Sequence, residues 1–147
     1  MDEQNYILES EKKVLDIIGL PESLPRREIN AVGIIGAGTM GGGIAMNFAN
    51  VGIPAHIIET NQDQLDKGIF NISNNYERSV NRGKVSKEEV TDRLKLITSS
   101  TRLNDLGHCD LIVEAVYEDL DLKKNIFRDL VHLITERHLF FRININF

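Results

Sequence analysis

The segment "VGIIGAGTMGGGIA", residues 32–45, most constrains the fold, because it places six glycines in fourteen otherwise apolar positions. Glycine weakens the interior of a strand and the interior of a helix, so neither element alone explains this density. An apolar, β-branched run leads into the glycines, and a stretch with helical character follows them. We therefore interpret the segment as a buried strand, a tight glycine turn and a helix from about Thr39 to Asn50.

Strands and helices continue to alternate after this segment. The sequence "AHIIE", residues 55–59, predicts a second buried strand, and a helical hairpin is predicted over residues 62–95. The hairpin helices begin at two capping-box spacings, Asn61 with Gln64 and Ser86 with Glu89. The later predicted elements are a short strand at 96–98, a turn or helix through 103–106, the strand "DLIVEAV", a helix over 121–134 and a last strand in "HLFFRININF". This alternation is typical of the α/β class, with a parallel sheet covered by helices on both faces.

The chain divides into two predicted parts. Residues 1–29 form an N-terminal amphipathic helix, over residues 5–18, and a linker that contains Pro21 and Pro25. Residues 30–147 form one α/β domain, which is a typical domain length.

Composition argues against several classes of partner and site. A formal net charge of −5 without a long basic run argues against a nucleic-acid-binding protein, and no apolar run approaches the length of a membrane span. Cys109 is the single cysteine, which leaves no disulfide or cysteine cluster for zinc, and we predict no metal site. No targeting signal is visible, so the predicted compartment is the cytoplasm, with an organelle as the alternative. The histidines lie in no nucleophile or metal arrangement and are interpreted as structural or solvated: His56, His108, His132 and His138.

The glycine turn has the spacing G-x-G-x-x-G at the end of a strand and the start of a helix. In such a turn Gly36 permits the tight bend, Gly38 lets a pyrophosphate approach the backbone, and Gly41 lets the helix pack close to the strand. The N–H groups at the start of the helix then face the anion. Glycine-rich turns also serve packing alone, and we interpret Gly42 and Gly43 as packing positions, with contact to a ligand as the alternative.

Glu59 supplies the second half of a dinucleotide signature. It ends the second predicted strand, 18 residues past Gly41. A carboxylate there can accept hydrogen bonds from the ribose hydroxyls of adenosine and repels a 2′-phosphate, which favours NAD over NADP. The alternative is a solvated acid at a strand end.

Three segments together identify a family resemblance. The glycine segment, "NRGKVS" in the hairpin and above all "DLIVEAVYEDLDLKKNIFRDL" resemble the NAD-binding domain of the 3-hydroxyacyl-CoA dehydrogenases, including those of multifunctional β-oxidation enzymes, over about residues 30–135. The resemblance implies a Rossmann-type doubly wound parallel sheet with a helical hairpin after strand 2.

The resemblance also implies site residues. Met40 in the glycine turn and Glu59 are expected at the adenine half of NAD, and Thr39 of the same turn is a further expected cofactor contact. Four later residues are expected along the nicotinamide half: Val116, Tyr117, Glu118 and Lys123. From the residues alone, Glu118 is an acid at a helix start and Lys123 a solvated lysine. The hairpin of this family helps to bind CoA, which makes Ser73, Ser79 and Lys84 loose candidates.

The sequence departs from the family pattern near the fifth strand. The family continues with a Ser-Asn-Thr-Ser segment, a strand ending in a catalytic His, a later Glu and a helical domain, whereas this sequence reads "HLFFRININF" and stops. The chain is therefore interpreted as truncated near strand 5 and able to hold NAD without a catalytic residue, acyl-CoA being a substrate only of a complete enzyme. The alternative is a non-catalytic dinucleotide-binding or redox-sensing module, or an inactive partner of a full-length enzyme. A β-hydroxyacid or 6-phosphogluconate type dehydrogenase is disfavoured by the hairpin.

The tail also predicts self-association. In a fifth strand, alternation places Phe141, Ile143 and Ile145 on one face and Phe140 on the other. A strand with an open edge and apolar faces is a template for pairing with another chain.

Overall fold

The computed structural model describes residues 27–117, 119–133 and 138–142. The predicted helix over residues 5–18, Glu118, the end of the predicted 121–134 helix at Ile134, and residues 143–147 lie outside the described residues.

Five parallel strands form one sheet in the order β3-β2-β1-β4-β5. The strands are β1 Val32–Ile35, β2 Ala55–Ile58, β3 Ile97–Ser100, β4 Leu111–Glu114 and β5 Leu139–Arg142. The helices are α1 Thr39–Asn50, α2 Gln62–Asn81, α3 Lys87–Lys95 and α4 Leu120–Leu130, with a 3₁₀ helix at Leu103–His108. The predicted α/β class and the Rossmann-type parallel sheet with a hairpin after strand 2 are confirmed.

The sheet is covered on both faces because neighbouring residues of each strand point in opposite directions. On one face Ile34 and Ile57 pack with Ile72 of α2, and on the other Ile35 and Ile58 pack with the 3₁₀ helix and α4. The apolar side chains of β1 and β2 are almost completely buried on both faces. This explains why β1 is continuously apolar, and β2 is apolar except at His56, instead of alternating between apolar and polar residues.

The predicted capping residues are found at the starts of both helices of the hairpin. The Asn61 side chain accepts a hydrogen bond from the Gln64 N–H at 3.0 Å, and α2 begins there. Ser86 and Glu89 form a reciprocal capping box at the start of α3. Gly83, with φ +68°, lies in the turn between the two helices. The hairpin was predictable because each of these signals involves residues that are close in sequence.

Two predicted elements are shorter in the structure. The strand predicted over 110–116 pairs only over Leu111–Glu114, because its neighbour β1 ends at Ile35, the partner of Glu114. The helix predicted over 121–134 spans Leu120–Leu130 and is followed by a turn. Leu133 packs against the core from that turn, so its apolar character does not require the helix to continue.

The strand predicted at 96–98 is also present, and it spans Ile97–Ser100.

Among the described residues, no helix is both long enough and apolar enough to cross a membrane. Cys109 is completely buried beside the sheet, as expected for a small residue next to a strand.

Candidate cofactor-binding site

A cleft of about 330 Å³ opens at the carboxyl ends of β1, β2 and β4. Gly36 and Gly38 line its floor, Glu59 lies on the β2 side, and Val116 and Tyr117 lie on the β4 side. β1 is the central strand of the sheet. The chain continues from β1 to its neighbour β2 on one side, and β4 pairs with β1 on the other side. Parallel α/β sheets bind ligands in the crevice formed at such a reversal of strand order.

The three motif glycines have different surroundings. Gly36 has φ +107°, and a Cβ there would lie 2.8 Å from the Ala115 carbonyl oxygen. A Cβ on Gly41 would collide with the carbonyl oxygen of Gly36. A Cβ on Gly38 would meet nothing within 4 Å, although Gly38 lines the cleft. The geometry therefore confirms the turn at Gly36 and the close packing at Gly41, while contact between Gly38 and a ligand stays a prediction.

The two following glycines also differ. A Cβ on Gly42 would lie 3.3 Å from the Ile72 side chain, so this residue is a packing position as predicted. The same interpretation of Gly43 is wrong, because a Cβ there would meet nothing within 4 Å. Helix α2 passes over Gly42 and leaves Gly43 beside a polar groove.

Helix α1 begins at the cleft without a side-chain cap. Its N-cap residue is Gly38, and its first turn contains no acidic residue. The first intrahelical hydrogen bond runs from the Gly42 N–H to the Gly38 carbonyl at 2.9 Å. The earlier N–H groups of a helix have no intrahelical acceptor, and the helix dipole favours an anion beside them. Thr39 is exposed and lines the polar groove on the far side of the turn, and Met40 is half-buried.

Glu59 follows β2 directly and reaches back to the glycine turn. Its Oε2 accepts a hydrogen bond from the Ala37 N–H at 3.4 Å, and its Oε1 accepts one from the Asn61 N–H at 3.3 Å. Both hydrogen bonds are long, and a carboxylate has about four acceptor positions. The carboxylate is therefore held on the β2 side of the cleft with capacity for further donors.

The loop after β4 forms the opposite wall. Val116 and Tyr117 line the cleft, and the Tyr117 side chain is 84% exposed. The Val116 N–H donates to Glu114 Oε1 at 2.9 Å, which links the loop to the end of the strand. The structure therefore places two of the predicted nicotinamide-side residues at the cleft.

Lys123 is buried against the end of β4 rather than exposed to solvent. Its side chain is 2% exposed, and its Nζ lies 3.2 Å from Oε2 of Glu114, which is completely buried. The interpretation of Lys123 as a solvated lysine is wrong, because the carboxylate at the end of β4 provides a charged partner inside the domain. Its predicted contact with the cofactor stays a prediction.

Glu114 itself was missed by sequence reasoning. The available signal was a carboxylate at the end of an apolar strand, in the position that Glu59 occupies on β2, followed nine residues later by Lys123 on α4.

The remaining candidates lie away from the cleft. The hydroxyls of Ser73 and Ser79 donate to carbonyls one helical turn earlier in α2, and Lys84 lies in the turn after it. Ser79 also lines an open groove of about 420 Å³ with Arg78 and Arg82.

Of the histidines, His56 belongs to β2 and His108 ends the 3₁₀ helix, and their ring centroids lie 5.6 Å apart. His132 is exposed and His138 is half-buried. None of the four is among the described residues that line the cleft.

The chain is similar in sequence to a known family of dehydrogenases. The family model described as "3-hydroxyacyl-CoA dehydrogenase, NAD binding domain" matches residues 31–142. The 3-hydroxybutyryl-CoA dehydrogenase of Mycobacterium tuberculosis (strain CDC 1551 / Oshkosh) is 39% identical over 108 residues, which are 74% of this chain and 38% of that protein. The peroxisomal bifunctional enzyme of Cavia porcellus is 38% identical over 104 residues, 71% of this chain and 14% of that protein.

A solved structure agrees with these matches. The crystal structure of M. tuberculosis FadB2 superposes with a TM-score of 0.76 at 36% identity and covers 79% of this chain and 41% of that chain. This chain thus spans about two fifths of the length of that protein.

Proposed function

The chain belongs to the 3-hydroxyacyl-CoA dehydrogenase family through its NAD-binding domain, and on that premise we propose which of its residues hold the cofactor. The backbone from Gly36 to Gly41 seats the pyrophosphate, and Glu59 accepts the ribose hydroxyls of adenosine. The nicotinamide half lies over the end of β4, along Val116 and Tyr117. Glu118 and Lys123 are further proposed contacts of that half.

The assignment of the pyrophosphate to the glycine turn rests on the open space beside Gly38. Gly36 and Gly41 are required by the backbone itself, whereas the space at a Cβ of Gly38 holds no atom of the described residues within 4 Å. That space lies at the uncapped start of α1, where a helix attracts an anion. Glu59 lies across the same cleft and gives the second contact point that a dinucleotide needs.

We expect NAD⁺ to bind more tightly than NADP⁺, because the Glu59 carboxylate accepts the ribose hydroxyls and repels a 2′-phosphate. Calorimetric titration of both cofactors measures this preference. Glu59→Ala removes the charged acceptor and is expected to weaken NAD⁺ binding by about 1 to 3 kcal/mol. Equal affinity for the two cofactors in the wild-type chain contradicts the assignment of Glu59.

Gly38→Val tests the pyrophosphate seat separately. A side chain at residue 38 meets no protein atom near its Cβ, so the variant is expected to fold and to lose NAD⁺ binding. Gly43→Ala is the matched control, since Gly43 also has open space at its Cβ but is not among the described residues that line the cleft. Circular dichroism verifies the fold of both variants. Undiminished NAD⁺ binding by Gly38→Val excludes this seat.

We further propose that in a complete enzyme of this family the domain presents NAD⁺ to a 3-hydroxyacyl-CoA, and that these 147 residues do not turn this substrate over by themselves. The bound nicotinamide supplies hydride acceptance. Proton transfer from the 3-hydroxyl needs a base within hydrogen-bonding reach, and no described histidine lines the cleft.

The test is an absorbance assay of the purified chain with NADH and acetoacetyl-CoA. We expect no oxidation of NADH above the background without protein. A turnover of about 1 to 1000 per second, the usual enzyme range, means that another residue of this chain donates the proton to the ketone in this direction and accepts it in the reverse direction.

A further inference from the structure

Two charged side chains are buried among the described residues, and they face each other. Glu114 at the end of β4 is completely buried, Lys123 in α4 is 2% exposed, and their charged groups lie 3.2 Å apart. Burying an ion pair removes both charges from water, and apolar residues of similar size often stabilise a fold as well or better. Stability alone therefore does not account for this pair.

The two carboxylate oxygens of Glu114 have different partners. Oε2 lies against Nζ of Lys123, whereas Oε1 accepts the Val116 backbone N–H at 2.9 Å. One side chain thus connects the end of β4, the loop after it and helix α4. Because Lys123 holds one oxygen, the carboxylate cannot turn away from Val116 without breaking the ion pair.

The loop held in this way faces one half of the cleft. Val116 and Tyr117 line the cleft on the β4 side, opposite Glu59. In a doubly wound sheet the two halves of a dinucleotide lie on opposite sides of the first strand. With the adenosine ribose at Glu59, the Val116 wall faces the nicotinamide half.

We propose that Glu114 is a positioning residue for the nicotinamide half of the cofactor, its carboxylate being held by Lys123 and holding the Val116 backbone in turn. The inference rests on the proposed assignment of NAD to this cleft. Lys123 takes part in this arrangement as the buried partner of the Glu114 carboxylate.

A comparison of NAD⁺ with ADP-ribose, which lacks the nicotinamide, tests the inference by calorimetry. Glu114→Gln keeps the size of the side chain and removes its charge, so the ion pair is lost. We expect NAD⁺ affinity to fall about tenfold, the effect of disturbing one buried hydrogen-bonded group, and ADP-ribose affinity to stay unchanged. A merely structural role of Glu114 lowers both affinities together.

Asp121→Asn is the matched control. Asp121 belongs to the same helix and pairs with Lys124 at 3.8 Å, but both side chains of that pair are exposed. We expect this variant to leave the affinities for both ligands unchanged.

A double variant keeps the test decisive if Glu114→Gln does not fold. Glu114→Gln with Lys123→Met removes both buried charges and leaves no unpaired charge in the interior. We expect it to fold and to show the same selective loss of NAD⁺ affinity. Wild-type affinity for NAD⁺ in this variant overturns the inference.

The remaining outcomes separate this inference from the proposed function. A wild-type chain that binds neither ligand contradicts the proposed cofactor site. A wild-type chain that binds NAD⁺ no more tightly than ADP-ribose, or a Glu114→Gln variant that loses both equally, overturns only the role of Glu114.

Discussion

At the scale of single residues, the ionisation of His56 is coupled to folding. Its Nδ1 lies 2.7 Å from the Thr98 hydroxyl, and its Nε2 is buried without a hydrogen-bond partner. Burial lowers the pKa of His56 below its usual value of 6.5, the electrostatic interaction with His108 lowers it further, and the carboxylate of Asp105 raises it in part. The folded protein therefore favours the neutral imidazole.

This gives a prediction of acid sensitivity. Because the pKa is lower in the folded state, the unfolded chain takes up the proton first as the pH falls below 6.5. We expect the free energy of unfolding to decrease as the pH falls from that value toward the lowered pKa of the folded state. Urea titrations at several pH values across this window measure the decrease.

The matched variant is His56→Gln, which keeps a hydrogen-bonding side chain beside Thr98 but does not titrate. We expect a smaller dependence of its unfolding free energy on pH in the same window. An unchanged pH dependence assigns the effect to other groups and refutes the prediction.

At the scale of elements, the contact between α2 and the glycine turn positions the site. Gly68 of α2 lies directly against Ala37, and a Cβ on Gly68 would collide with the Ala37 carbonyl oxygen. Tyr76, further along the same helix, is 2% exposed, and its hydroxyl donates to Asn50 Oδ1 of α1 at 3.1 Å. Helix α2 thus supports both the turn and the helix that together form the predicted phosphate seat.

Two glycine substitutions separate packing from helix propensity. Gly68→Ala is expected to lower the free energy of unfolding by about 1 to 3 kcal/mol, because the added methyl group forces α2 away from Ala37. Gly43→Ala is expected to raise it by about 0.5 to 1 kcal/mol, because Gly43 is inside α1 with open space at its Cβ. Chemical unfolding curves measure both changes, and changes of the same sign would show that the two positions do not differ in packing.

Ends of elements that are marked by local residues were predictable from the sequence, whereas ends that are set by a neighbouring element were not. The bounds of α1 and the capping box of Ser86 follow from residues within one helical turn of each other. The end of β4 at Glu114 depends instead on where its neighbour β1 stops. Pattern reasoning extended this strand by two residues because Ala115 and Val116 are apolar too.

At the scale of the whole molecule, β5 forms one edge of the described sheet, opposite the edge formed by β3. It pairs with β4 in parallel register, and its first residue, Leu139, is 41% exposed. An outer strand with unpaired backbone groups is a template for another chain, and we propose that this edge promotes self-association of the 147-residue chain.

A charge at the edge is expected to oppose this association. Leu139→Lys should lower the association state or raise the solubility, since lysine on an edge strand disfavours strand addition. Leu120→Lys is the control, because Leu120 is an exposed apolar residue of α4 and not part of the sheet. Light scattering at increasing concentration measures the association. A wild-type chain that stays monomeric at high concentration, or an equal effect of both variants, contradicts the role of the edge.

The sequence by itself determined the class of fold, the glycine turn and the acid that follows the second strand. These features depend on residue types at short spacings: a strand, three glycines and a helix start are consecutive in the chain, and Gly36 has the positive φ that its turn requires. The same local motif predicts NAD as the cofactor, and the match to the NAD-binding domain of the family over residues 31–142 agrees with this prediction.

Only the tertiary structure decided which side chains meet across the fold. Glu114 and Lys123 belong to different elements, and their pairing depends on how α4 returns against the sheet. The contrast between Gly68, packed against Ala37, and Gly43, which faces open space, depends on where α2 crosses α1. Periodicity assigns a residue to a face of its own helix, but the distance to the next element is set by the packing of the whole domain, which a local pattern does not contain.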